Sequence, residues 1–471
     1  MSILKILVII FLVSVFTSNV YCQEKWSLEK CVSYAIENNI QIKQSDLNVR
    51  VSKGILNQSK FQILPNLNAN ANQQYSFGRS IDPYTYEFSD NNIKSNNFSI
   101  SSSITLFNGL QTINTIRQNN INLLSGIQDV EKLKNDIALN IAAAFLQILY
   151  NEDIYQVALL QKDITTQQVE RTKKLVEAGS LANGNLLEAE SQLATEELQV
   201  INAENQLNMS YLNLKQILDL DTVEDFKIDK PEITSPDEKV YLPSVNQVYS
   251  EAVTNLPQIK SAEFKVRSSE IGLSIARGKR SPKLTLTGSY GTGYSSSRML
   301  GKYVPTTVTI GQTASGEEVY GSSFIYNTEK YPFNDQIKDN ASTSLTFGLS
   351  VPIFNNWYVN SGVSNAKISL LNSEYNLELA RKQLFKEIQQ AHADANAALN
   401  KFFASKKAKI SIEESFNYTQ QKFDVGLVSN LDYNIAKNNL AKSKSDMLQA
   451  KYDFIFKTKI LDFYRGNQIK L

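Results

Sequence analysis

The chain carries two copies of one long unit. Residues 35–72 align with the segment 217 positions later: Ala35 falls on Ala252, Ile42 on Ile259, Lys43 on Lys260, Val49 on Val266, Arg50 on Arg267, Pro65 on Pro282 and Leu67 on Leu284. Downstream the offset is 247, and Phe107-Asn108 falls on Phe354-Asn355, Gly179 on Gly426, Ala189 on Ala436 and Leu214 on Leu461. The offset therefore grows by 30 residues, which places an insertion between Leu284 and Phe354 in the second copy. A repeat of this length points to pseudo-symmetry within one fold rather than a solenoid of short units.

Each copy switches period along its length. Residues 28–61 read as helix, with Ser27 as N-cap before Leu28 and Glu29. From Asn66, apolar Leu67, Ala69 and Ala71 alternate with Asn66, Asn68, Asn70 and Asn72, the period of a strand. Phe98, Ile100, Ile104 and Leu106 alternate with Ser99, Ser101, Ser103 and Thr105. The second copy repeats this in Leu284 and Leu286 against Thr285 and Thr287, and in Leu345, Phe347, Leu349 and Val351 against Ser344, Thr346, Gly348 and Ser350. Each strand pair leads into a long helical pattern. Residues 110–178 lack proline, and Leu133, Ile137, Ile141, Ala144, Ile148, Tyr155 and Leu159 recur helically. About 67 helical residues would run roughly 100 Å. After Gly179 comes a strict heptad, Leu186, Leu193, Val200, Leu207 and Leu214, matched by Tyr433, Leu440, Met447, Phe454 and Leu461. Such spacing is a coiled-coil seam. The glycine-, serine- and tyrosine-rich stretch 292–341 reads as a long loop.

Residues 1–22 read as a cleavable secretory signal, with Lys5 before an apolar run over 6–16. Lipidation of Cys22 is the competing reading, weakened by Asn19, Val20 and Tyr21. Without Cys22, Cys31 has no partner for a disulfide. Beyond the leader no apolar run is long enough for a membrane helix. Lys and Arg number 48 against 47 acids, a balance that leaves no electrostatic footprint for nucleic acid.

A serine-faced strand alone fits a half-solvated sheet. Four of them behind an export signal fit strands that alternate lipid-facing and lumen-facing residues. Four strands cannot close, however, and an open edge in lipid leaves unpaired backbone groups that each cost several kcal/mol. The smallest filled barrels have about eight strands, so several chains would have to pool theirs. The two hairpins of long helices would then hang below the strands.

The whole mature sequence resembles the TolC family of outer-membrane efflux proteins. The likeness is carried by Trp26-Ser27-Leu28-Glu29-Lys30-Cys31-Val32-Ser33-Tyr34-Ala35, by the turns Leu64-Pro65 and Ser281-Pro282, and by Leu106-Phe107-Asn108-Gly109 with Ile353-Phe354-Asn355-Asn356. Its most specific element is Phe423-Asp424-Val425-Gly426-Leu427-Val428-Ser429-Asn430-Leu431-Asp432, a helix-turn whose first-copy partner over 176–183 is more divergent. The resemblance implies an α+β membrane protein: four strands per chain in a shared, trimeric twelve-stranded barrel, and long coiled-coil hairpins forming a periplasmic tunnel. It also implies passive export from periplasm to exterior in a tripartite efflux or type I secretion system. The expected partners are two further copies, outer-membrane lipid, a periplasmic adaptor (a membrane-fusion protein), and an inner-membrane pump or ABC ATPase.

The implied organisation is a first repeat over 23–218, an equatorial insert over 219–243 and a second repeat over 244–471. The first repeat holds strands 64–78 and 96–108 and a helical hairpin 110–218. The second holds strands 283–294 and 341–354 and a hairpin 357–465. The functional residues implied lie at the helix-turns: Gly179, Leu181 and Asn183 in one copy, Gly426, Leu427, Val428 and Ser429 in the other, as an adaptor-docking tip. Asp432 matches an acid that family members place at the entrance, and Asn185 stands at the first-copy position. Asp432 also fits a helix-terminal acid favoured by the helix dipole. Enzymatic chemistry has little footing. His392 is the sole histidine, which excludes the H-E-x-x-H zinc motif. The Gly272 to Lys279 run is one residue too long for a phosphate-binding loop, with Arg280 in place of Ser or Thr. No cofactor or metal is expected. A porin for uptake would not need long hairpins, and a structural coiled-coil envelope protein would not need the strands.

Overall fold

The computed structural model describes residues 25–90, 92–220, 226–231 and 241–467. The leader read over 1–22, with Cys22, lies outside them, as do 221–225 and 232–240 of the insert. In the first copy the elements are α1 (Leu28–Asn38), α2 (Ile40–Phe61), β1 (Asn66–Ser76), β2 (Ser80–Ile81), β3 (Phe88–Ser89), β4 (Ile93–Phe107), α3 (Gln111–Glu177) and α4 (Asn183–Ile217). The second copy follows with α5 (Val245–Asn255), α6 (Pro257–Gly278), β5 (Lys283–Ser295), β6 (Met299–Gln312) and β7 (Glu318–Lys330). It ends with α7 (Phe333–Asp339), β8 (Ser342–Ser350), α8 (Tyr358–Asp424) and α9 (Asn430–Tyr464). The duplication is near-exact in length: α3 and α8 have 67 residues each, and α4 and α9 have 35 each.

Two compact units emerge among the described residues, one within 53–120 and 268–371, the other within 25–52, 121–267 and 372–467. The first holds an antiparallel sheet ordered β1-β4-β5-β8. The β4–β5 pairing, Ser101 opposite Ser289 and Ile104 opposite Leu286, joins the two strand pairs into one sheet. Asn66 faces Ser103, Phe107 faces Leu284 and Lys283 faces Ser350, so all four helix connections leave from one end. The loops leave from the other. One face carries Leu67, Phe98, Ile100, Tyr290, Leu345, Phe347 and Leu349, all exposed. The opposite face carries the Asn, Ser and Thr rows, with Ser289 Oγ and Ser344 Oγ 2.7 Å apart and Ser103 N–H donating to Asn66 Oδ1 at 2.8 Å.

The strand-to-helix turns use two consecutive left-handed residues in each copy. Gly109 and Leu110 have φ of 66° and 61°, and Asn356 and Trp357 have φ of 52° and 65°. Gly109 and Gly278 approach so closely that a Cβ on Gly278 would sit 2.5 Å from the Gly109 carbonyl oxygen. Leu273 and Ala276 of α6 pack against Val363 of α8 just beyond.

In the second unit the two copies build matching cores. Leu28, Cys31 and Ala35 of α1 pack with Ile137, Ile141 and Phe145 of α3 and Leu214 of α4. Val248, Ala252 and Ile259 pack with Leu384 and Ile388 of α8. Burial pushes the Cys31 thiol up to about 12, so it stays protonated and inert. None of the ten heptad residues is exposed, and Val200, Leu214, Tyr433, Leu440, Phe454 and Leu461 are buried.

Two expectations are corrected. Residues 28–61 form two helices, not one. Asn39 leaves the helical region (φ −59°, ψ 128°), and its Oδ1 accepts from Gln41 N–H at 2.9 Å and Ile42 N–H at 3.3 Å, starting α2 afresh. In the second copy Pro257 does the same work at the first position of α6, where its missing N–H is not needed. Residues 292–341 are not an irregular loop. β5 continues to Ser295, and β6 and β7 pair from Met299–Lys330 to Gln312–Glu318. The β-branched and aromatic residues of this stretch, Val304, Val308, Ile310, Phe324, Ile325 and Tyr326, form a ribbon that its Gly and Ser content masks. Asp82, 1% exposed, ties the first-copy loop to the end of β5. Burial alone would raise its carboxyl, but the hydroxyls of Ser295 and Ser297 and the N–H groups of Thr85 and Tyr84 outweigh it and hold it below the usual range.

Candidate functional site

Both helix-turns lie in the second unit and close with the same backbone motif. Gly179 (φ 72°) and Gly426 (φ 79°) occupy the left-handed position that a side chain would strain. Gly179 N–H donates to Val176 O at 2.9 Å and Ser180 N–H to Leu175 O at 2.9 Å; Gly426 N–H donates to Phe423 O and Leu427 N–H to Lys422 O. These pairs are the Schellman pattern. Leu181 and Leu427 project into solvent beyond the turns, with Val425 and Leu431 beside Leu427. Phe423 stacks on Tyr433 with ring centroids 4.5 Å apart, which seats the second turn. Burial, then the Asp424 and Glu196 carboxylates, push the Tyr433 phenol up.

The turns restart differently. Ser429 caps α9, its Oγ accepting from Asp432 N–H at 3.1 Å and donating to Asp432 Oδ2 at 2.6 Å. Asp432 is exposed in the first turn of α9. In the first copy Ala182 stands at the cap with no side-chain bond, followed by Asn183 and Gly184, and Asn185 N–H donates to Ala182 O at 3.0 Å. Replacing a Ser cap by Ala typically costs about 1 kcal/mol, so the first turn starts on the weaker cap.

Just inside the turns, the two hairpins are joined by polar contacts. Arg171 Nη1 of α3 lies 2.6 Å from Asp424 Oδ1 at the end of α8. Gln168 donates to Asn430 Oδ1 at 2.5 Å, and Asn430 Nδ2 to Glu188 Oε2 at 3.4 Å. Deeper, Lys437 Nζ is 2.6 Å from Glu196 Oε1, with side chains 1% and 2% exposed. Thr165 joins this pair, donating to Glu196 Oε2 and accepting from Lys437. None of these contacts was read from the sequence. The available signal was Glu196 itself, seven residues after Ala189 on a row that Ala203 and Ser210 continue, where a seam wants an apolar residue.

Among the described residues no cluster of three or more His, Cys, Asp or Glu is arranged to hold a metal. The arrangement holds two helical hairpins together near their turns and presents exposed residues beyond them.

The family profile described as Outer membrane efflux protein matches residues 31–219 and 248–457. The chain belongs to the outer membrane efflux protein family. It is 24% identical over 414 residues to the outer membrane protein TolC of Escherichia coli strain K12, spanning 85% of this chain and 74% of the relative. Among solved structures, CusC superposes with a TM-score of 0.74 at 16% identity, covering 94% of this chain and 92% of that one. The Campylobacter jejuni outer membrane channel CmeC superposes with a TM-score of 0.73 at 16% identity, covering 93% and 85%. The outer membrane protein VceC of Vibrio cholerae gives 0.71 at 13% identity, covering 94% and 96%. At these identities the structures speak to the fold alone. As a member of the family, the chain is an outer-membrane exit duct for efflux and not an enzyme, resident in the outer membrane with a periplasmic portion. Channels of this family act as homotrimers with adaptor and inner-membrane pump partners.

Proposed function

We propose that three copies of this chain pool their sheets into one twelve-stranded barrel, with the helix-turns at the periplasmic entrance. The observation that carries this reading is the open sheet: β1 and β8 are its edges, and its apolar face is exposed. Two unpaired edges have no stable place in lipid. Mass measurement in mild detergent is expected to give a trimer; a folded monomeric pore would refute the closure argument.

At the entrance, Gly179 and Gly426 shape the two turns. Leu181, Asn183, Leu427, Val428 and Ser429 are the tip that a periplasmic adaptor reads, and that adaptor joins an inner-membrane pump or secretion ATPase. Three copies of Asp432 around the axis, alternating with Asn185, form a ring of like charge that favours cations. The hydrogen bond from the Ser429 hydroxyl to Asp432 Oδ2 supports a second role for the same carboxylate, holding the Ser429 cap of α9 in place. Reversal potential in a salt gradient separates the roles. Asp432→Asn is expected to reduce cation preference while the trimer still assembles. Unchanged selectivity with lower thermal stability would leave only the cap.

The Arg171–Asp424 pair restrains the turns of the two hairpins. Its side chains are about half exposed, so on its own it stabilises the fold by about 0–1 kcal/mol. Arg171→Ala is therefore expected to raise single-channel conductance while leaving the melting temperature nearly unchanged. Wild-type conductance in the variant would show that the pair does not hold the entrance.

A further inference from the structure

The sheet-bearing unit has a strongly asymmetric charge distribution. Its helix-side segments, residues 53–65, 107–120, 268–283 and 351–371, contain eight cations, Lys53, Lys60, Arg117, Arg277, Lys279, Arg280, Lys283 and Lys367, against the single carboxylate of Glu270. The loop-side segments, 77–94 and 296–341, contain six cations and eight acids. All eight helix-side cations are exposed, and among the described residues none has a carboxylate partner. Arg280 donates only to the Asn360 amide oxygen at 2.9 Å. An uncompensated positive belt on one side of the sheet is not explained by packing.

Four of the cations share one depth. Lys60 is the penultimate residue of α2 and Arg277 the penultimate residue of α6, at equivalent positions of the two copies; Lys279 and Arg280 follow directly. All lie within three to six residues of the start of β1 or β5. A helical turn rises about 5.4 Å, and the headgroup layer of each leaflet is about 5–8 Å thick. These side chains therefore sit at headgroup level if the sheet spans the hydrocarbon. The same level carries exposed aromatic residues, Phe61 at 69%, Trp357 at 66% and Tyr358 at 72%. Trp357 and Tyr358 have rings with a polar edge that favour that boundary, and a basic cluster beside it attracts anionic lipid.

We infer that Lys60, Arg277, Lys279 and Arg280, flanked by Phe61, Trp357 and Tyr358, form a site for anionic phospholipid headgroups of the periplasm-facing leaflet. This rests on the reading that the sheet spans the outer membrane with its helix end inward. The anionic phosphate engages the cations, and the acyl chains lie on the apolar face above them. A zwitterionic headgroup offers the belt no net charge.

Native mass spectrometry of the detergent-purified protein, with dioleoyl phosphatidylglycerol or dioleoyl phosphatidylcholine added, tests the site. The wild type is expected to retain phosphatidylglycerol in preference to phosphatidylcholine. The Lys60→Gln/Arg277→Gln/Lys279→Gln/Arg280→Gln variant is expected to lose that affinity at least tenfold, and the pair Lys60→Arg/Arg277→Lys to keep it. If the fourfold variant does not fold, Lys279→Gln/Arg280→Gln is read in the same way, with a smaller loss expected. Equal retention of both lipids, or unchanged phosphatidylglycerol binding in the variants, overturns the inference. So does a shift in pore ion selectivity with lipid binding intact, which would put the cations on the conduit wall. The same spectra report the assembly mass, so absence of a trimer counts against the barrel reading and loss of lipid preference in an intact trimer counts against the site alone.

Discussion

Lys437→Met is expected to destabilise the helical hairpins by about 3–5 kcal/mol. The variant strands Glu196, whose side chain is 2% exposed and whose Oε1 lies 2.6 Å from the Lys437 ammonium. Thr165 and Gln192 still donate to the carboxylate, but they supply no charge. A buried carboxylate without its counter-ion must stay desolvated or take up a proton, and either is costly. Removing both charges together behaves differently, because well-packed apolar residues commonly replace a buried ion pair at little cost. Lys437→Met/Glu196→Leu should therefore regain most of the stability lost in the single variant. Thermal unfolding followed by circular dichroism checks both statements. A single variant within about 1 kcal/mol of wild type would show that the pair is hydrated in the folded protein.

Gly109→Ala is expected to be the second severe change, with its damage at the sheet rather than in the hairpins. Gly109 has φ of 66°, so a side chain there costs roughly 1–2 kcal/mol in backbone strain. The added methyl would also overlap the Gly278 carbonyl oxygen and the Ser281 side chain. Overpacking adds about 1–3 kcal/mol, and the neighbour is backbone that cannot rotate away. The expected outcome is a marked drop in folded protein recovered from the outer-membrane fraction. Asn356→Gly, at the equivalent second-copy turn, relieves the strain that Asn356 tolerates at φ 52° and should not lower the yield. Equal recovery for Gly109→Ala and wild type would show that the junction relaxes around the methyl.

What the sequence made legible follows from periodicity. Strict alternation in Asn66 to Asn72 and in Phe98 to Leu106 marked strands, because only a pleated strand puts every second side chain on one face. The heptad from Leu186 to Leu214 marked the seam, and the glycine at its head marked the turn. The ribbon of β6 and β7 was hidden because both its faces are mixed, Tyr303, Pro305 and Phe324 on one and Val304, Thr306 and Ile325 on the other. Composition then outweighed pattern. The break at Asn39 was hidden because the apolar spacing runs straight through it; only the carbonyl of its side chain reveals the new helix start. The contacts that join the hairpins, Arg171 with Asp424 and Lys437 with Glu196, bring together residues some 250 positions apart. No local rule pairs such residues, and only the fold brings them together.

The two copies sit on one polypeptide, and that changes what mutation can do. A ring assembled from six identical short chains would take every substitution six times, at equal spacing. In the proposed trimer a change enters three times, and only on alternate positions, so one copy can vary while the other preserves the fit. Ser429 and Asp432 stand where the first copy has Ala182 and Asn185, and among the described residues the ribbon of β6 and β7 exists in one copy alone. A duplicated chain can thus keep one turn for sealing and lend the other to recognition, a division of labour closed to an assembly of identical halves.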